Sequence, residues 1–133
     1  MKGYLLDTNH VSKAVRRDSP LHERIYREKQ RGLRVGTCVP VLCEIESGRL
    51  NVADPIAYRK GLAKLLTKIL LWPLTETTAE HFGEIDQDLR RRGRLLSQVD
   101  IMLAALCREL DLALVTTDKD FAALTWLNTE NWL

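Results

Sequence analysis

Four short apolar runs, residues 2–6, 33–37, 70–73 and 112–117, alternate with stretches whose apolar residues recur at helical spacing. Strands joined through helices pair in parallel, because a parallel pair needs a crossover of about a dozen residues or more. A sheet built that way is buried on both faces, so helices must cover each of them. The expected fold is therefore a three-layer α/β/α domain with a central parallel sheet. At 133 residues the chain has the length of one compact domain and is short for two cores, so residues 1–133 read as one domain with one site.

Capping signals divide the helical stretches. Ser19-Pro20 reads as a cap followed by proline at the first helical position, opening a helix toward Gly32 with Leu21, Ile25 and Tyr26 inward. Pro40 opens the next, which carries Glu44 mid-helix and which Gly48 would close in a left-handed cap. Asp54-Pro55 repeats the cap-plus-proline signal before Ile56, Leu62, Leu65, Leu66 and Ile69. Thr77 with Glu80 has the capping-box spacing, and Gly93 follows that helix's end. The last helix is apolar nearly all round from Ile101 to Leu106, hence buried, with Asp100 at its start.

In an open parallel sheet the ligand crevice lies beyond the carboxyl ends of the strands. Asp7 and Asp118 directly follow the first and last apolar runs, Asp100 abuts the buried helix, and Glu44 lies between Cys43 and Ile45 in the helix after the second run. Each alone also reads blandly: Asp7 and Asp100 as helix caps, Asp118 as a turn residue, Glu44 as a surface partner of an arginine. Together they mark one crevice edge. Two carboxylates about 4 Å apart repel by on the order of 4 kcal/mol at an effective dielectric near 20, which a cation relieves. Oxygen donors without matched histidine or cysteine favour a hard ion, Mg²⁺ or Mn²⁺, over zinc. Such an ion suits phosphodiester hydrolysis, and no side-chain nucleophile is then needed. His10, His22 and His81 are scattered, without the pairing that general acid–base cleavage of RNA would use.

The remaining composition excludes more than it indicates. No run of about 18 apolar residues exists, and Asp7 interrupts the first run before a secretory segment develops, so the expectation is a cytoplasmic protein with no membrane contact. Cys38, Cys43 and Cys107 lack paired C-x-x-C spacing and read as reduced, buried thiols. A formal net charge of +2 decides nothing about a polyanionic partner, which leaves the local run Arg90, Arg91, Arg92 and Arg94 as candidate RNA phosphate contacts. The competing reading of that run is a helix end whose dipole favours cations. Trp72, Trp126 and Trp132 sit beside apolar residues and read as core or interface anchors.

The segments Leu5-Leu6-Asp7-Thr8-Asn9, Glu44-Ile45-Glu46-Ser47-Gly48, Asp100 to Ala105, and Leu114 to Phe121 resemble, in order and spacing, the motifs of the PIN-domain ribonucleases, especially the VapC-type bacterial toxins. The resemblance spans nearly the whole chain. It implies a PIN-like domain whose metal-site acids are Asp7, Glu44, Asp100 and Asp118, with Asn9 and Thr116 as polar supports. Asp120 is either a sharer of Asp118's role or a turn acid. It also implies a magnesium-dependent endoribonuclease, homodimeric, restrained by an antitoxin protein and acting on RNA. A non-catalytic PIN-like module that binds RNA or protein is the alternative. Two rivals fit less well. A haloacid-dehalogenase-like phosphatase expects an acid where Asn9 stands, and a receiver domain expects paired acids after the first strand and another aspartate mid-sheet.

Overall fold

The four apolar runs pair side by side and a fifth strand joins them. The computed structural model describes residues 1–133. In chain order the elements are β1 (Gly3–Leu6), α1 (Thr8–Ala14), α2 (Leu21–Gln30), β2 (Arg34–Cys38), α3 (Val39–Gly48), α4 (Pro55–Leu66), β3 (Leu70–Trp72), α5 (Glu76–Arg91), α6 (Gln98–Leu110), β4 (Leu112–Val115) and β5 (Thr129–Glu130). Short 3₁₀ turns follow α3 (Arg49–Asn51) and β4 (Lys119–Ala123).

All strand pairs are parallel, in the order β3-β2-β1-β4-β5. Central β1 and β4 have every residue buried, as a sheet covered by helices on both faces requires. The six helices and the sheet form the expected three layers around one cluster of 32 buried apolar residues. Burying each Leu or Val side chain there contributes on the order of 1.5–3 kcal/mol. Gly36 in β2 lets the edge strand close in: a Cβ there would lie 2.7 Å from the Leu70 carbonyl oxygen and 2.8 Å from the Trp72 ring. The strand order reverses beside β1, since the chain first builds outward through β2 and β3 and then returns to place β4 on the other side. The carboxyl ends of β1 and β4 therefore flank a topological switch point, where an open α/β sheet leaves a crevice.

Several boundaries differ from the sequence expectation for local reasons. Ser19 does accept the Leu21 amide at 3.2 Å, but Pro20 precedes the first helical residue, and Tyr26 is exposed. Gly48 has φ −86°, so α3 runs on into a 3₁₀ turn and no left-handed cap forms. Asp54 caps α4 as expected, accepting the Ala57 amide at 3.0 Å, yet Ile56 is exposed and Ile69 lies beyond the helix end, buried before β3. The capping box of α5 uses Thr75 and Thr78, two residues ahead of Thr77 and Glu80. Gly93 follows α5 with φ +64°, a conformation that favours glycine. Cys38 and Cys107 are buried, whereas Cys43 is exposed, contrary to the expectation for all three.

Candidate active site

Each acid singled out from the sequence reaches the switch point from a different element. Asp7 caps α1 immediately after β1, accepting the His10 amide on Oδ1 at 2.9 Å. Glu44 comes from α3, where Thr8 Oγ1 donates to its Oε1. Asp100 lies in the first turn of α6, three residues after the capping Ser97, whose Oγ accepts the Asp100 amide at 3.1 Å. Asp118 follows β4 and caps the 3₁₀ turn, accepting the Asp120 amide at 2.8 Å. These four acids, with Thr8, Asn9, Leu103, Thr116, Thr117 and Phe121, line one crevice of about 230 Å³. No histidine or cysteine lines it. Asp120 stands outside the lining, within the 3₁₀ turn.

The polar supports tie the motifs together. Asn9 Nδ2 donates to Thr117 Oγ1 at 3.1 Å, which bridges the segments after β1 and β4. Thr116 Oγ1 accepts the Asp118 amide at 3.0 Å, and its hydroxyl helps hold the Asp7 carboxyl below its ordinary pKa. The environments of Asp7 and Asp100 are opposed. Burial works to raise the Asp7 pKa, but hydrogen bonds from the His10 ring and amide and from Thr116 outweigh it and hold the carboxyl below its ordinary value. At Asp100 burial again raises the pKa. Only Ser97 opposes it, while the charges of Asp118, Glu44 and Asp120 add to the rise. These acids are thus close enough to repel one another in the absence of a cation. As they stand, no three His, Cys, Asp or Glu side chains converge tightly enough to grip an ion. Asp7, Glu44 and Asp118 are instead each held by a protein donor.

The arginine run is not brought into the crevice. Arg90 pairs with Asp86 at 2.9 Å, and Arg92 pairs with Asp88 at 2.8 Å while donating to the Ala123 carbonyl at 3.0 Å. Arg91 and Arg94 are exposed at the end of α5 and in the turn that leads to α6. Two larger grooves lie elsewhere. One, of about 910 Å³, runs between the α1–α2 connection and α4; the other, of about 940 Å³, borders Glu44 between α3 and α6. Neither gathers the acids. Sequence reasoning missed two contributors, Thr8 and His10. Both lie within three residues of Asp7 at the start of α1, where a cap's hydrogen-bond partners belong, and that proximity was the available signal.

The sequence profile of the PIN domain matches residues 4–127. The chain belongs to the PIN domain family. Ribonuclease VapC2 of Haemophilus influenzae is 29% identical over 134 residues, covering 100% of both chains. Among solved structures, this PIN domain resembles DNA-bound VapBC from Salmonella typhimurium, with TM-score 0.86 and 21% identity over 100% of each chain. It also resembles VapBC2 from Rickettsia felis bound to a promoter DNA fragment, with TM-score 0.85 and 20% identity over 98% of each chain. At those identities the structural likeness establishes the fold, and the fold is the PIN arrangement described above.

Proposed function

We propose that this PIN domain is a Mg²⁺-dependent endoribonuclease, with Mn²⁺ able to substitute, that acts as the toxin of a toxin–antitoxin pair in the cytoplasm. The observation that carries the reading is the meeting of Asp7, Glu44, Asp100 and Asp118, from four separate segments, in one crevice at the switch point. The donor set fits a hard divalent ion: its carboxylates offer oxygen only, and Asp100 gains charge at a cost set first by burial and then by its acidic neighbours. When held by these carboxylates, such an ion supplies a lowered pKa for the attacking water and neutralises charge on the scissile phosphate.

The chain's own residues divide the remaining work. Asp7, ionised across the neutral range, is a ready anchor on the rigid end of β1. Asn9, bonded to Thr117, ties the two strand-end motifs together across the crevice, and Thr116 holds the turn that presents Asp118. Arg91 and Arg94, free of ion pairs, are the arginines of the run best placed to hold RNA phosphates, whereas Arg90 and Arg92 are already engaged by acids. The antitoxin partner is supported by the likeness to VapBC assemblies, and the ribonuclease reading by the full-length relative of that name.

A second reading has an observation of its own. Acids that share a crevice without closing on a common point are also what a non-catalytic RNA- or protein-binding module would carry. Incubating purified protein with structured RNA and Mg²⁺ separates the two. Cleavage should vanish with EDTA and in Asp7→Asn and Asp100→Asn, each falling beyond the about 100-fold loss that second-layer changes reach. Intact RNA throughout, with retained binding, would favour the module. In bacteria, expression without the partner should arrest growth and Asp100→Asn should relieve it; equal arrest by both proteins contradicts catalytic toxicity.

A further inference from the structure

His10 is a fully buried histidine in the first turn of α1, three residues beyond Asp7. Its Nε2 receives the backbone N–H of Trp132 at 3.1 Å, a residue 122 positions away. A peptide N–H can only donate, so Nε2 presents its lone pair and the neutral ring carries its proton on Nδ1. Nδ1 lies 2.8 Å from Asp7 Oδ1, the same oxygen that accepts the His10 amide. The ring therefore donates to the carboxylate from the protein side, with its tautomer dictated by a peptide at the far end of the chain.

That peptide is itself firmly held. The Trp132 indole lies under the Arg24 guanidinium, 4.5 Å from its centroid, and meets the Tyr4 ring edge-on at 4.9 Å. Its Nε1 donates to Glu130 at 3.1 Å, while Arg24 reaches both Glu130, at 3.2 Å, and the buried Glu28, at 3.3 Å. The segment after β5 is thus anchored to β1 and α2 at the position where its backbone touches His10.

We propose that His10 is a positioning residue that orients Asp7 for its ion, and that the Trp132 peptide is the part of the device that fixes the ring. The role rests on the reading of Asp7 as a metal-holding acid. Carboxylates that hold metal are commonly fixed by such outer hydrogen bonds, and their loss costs affinity as well as rate. A histidine buried only for packing would keep its tautomer through the same two hydrogen bonds but would have no reason to influence ion binding.

Two substitutions split the ring's functions. His10→Asn keeps an N–H near the Nδ1 position and loses the acceptor for Trp132. His10→Gln keeps an acceptor near Nε2 and loses the donor to Asp7. Mn²⁺ binding, measured by calorimetry without RNA, should weaken by about 10-fold or more in His10→Gln and far less in His10→Asn, with kcat falling and KM nearly constant. Equal affinities in the two variants, or wild-type affinity in His10→Gln, overturn the proposal. The wild-type ring needs no variant: ¹⁵N NMR should report the Nδ1–H tautomer. An Nε2–H ring in a protein that does bind Mn²⁺ sinks the positioning role alone. A wild-type protein that neither takes up Mn²⁺ nor cuts RNA sinks the nuclease reading, and this role with it.

Discussion

Asp7 and Asp100 face one crevice with opposite proton affinities, so their removal should move stability in opposite directions. The folded protein holds the Asp100 proton more tightly than the unfolded chain does. Its favourable contribution is therefore present at low pH and is lost as pH rises through the raised folded value. At neutral pH without metal, Asp100→Asn should melt above the wild type, with the gap closing in acid. Asp7 has the reverse sign: its stabilisation is present above the ordinary carboxylate value and lost as pH falls through the depressed folded value. Asp7→Asn should melt below the wild type at neutral pH, and thermal melts in EDTA between pH 3 and pH 8 would read both. A pair of shifts of the same sign contradicts this account of the two environments. These acids stood out in the sequence because each adjoins a segment that must be buried. His10 did not, because its nearness to Asp7 marks only a cap partner, and the Trp132 contact that fixes its ring leaves no local pattern.

Among the elements, the start of α6 links helix formation to the site. Ser97 caps the helix through the amide of Asp100 itself, so the same hydrogen bond ends the turn and fixes where the acid begins. Ser97→Ala should cost about 1 kcal/mol in urea unfolding, and Ser97→Asn should restore most of it because asparagine caps equally well. Nuclease rate should follow the same order; an alanine variant of unchanged stability would remove the cap from the argument. Most elements were legible at this level, since period and capping residues are local. The start of α5 was misplaced because Thr75, Thr77 and Thr78 all suit a cap, and only the bond from the Thr75 amide to Thr78 Oγ1 at 3.0 Å distinguishes them. Strand β5 was invisible for a different reason. Thr129 and Glu130 carry no apolar pattern and are a strand only because β4 lies alongside.

In the whole molecule, the parallel sheet turns four distant sequence segments into one acidic crevice. That convergence could be expected from strands alternating with helices, but that the acids stop short of a common point could not. No helix is long and apolar enough to cross a membrane. The edge strand β3 leaves Leu70 and Leu71 half-exposed, and if the protein is the proposed toxin it should be a homodimer. Light scattering should give twice the 15.2 kDa chain mass, and a monomer at micromolar concentration would remove that expectation. Mg²⁺ should raise the melting temperature of the wild type and leave Asp100→Asn unmoved, because an ion that binds only the folded state stabilises it by mass action. The most direct measurement is an anomalous difference map from crystals of the wild-type protein soaked in MnCl₂. The account predicts a single site or a close pair in the crevice, bonded to Asp7 and Asp100 with Glu44 or Asp118 turned toward it. A crevice without an anomalous peak, Glu44 still engaged by Thr8 and Asp118 by the Asp120 amide, would contradict it.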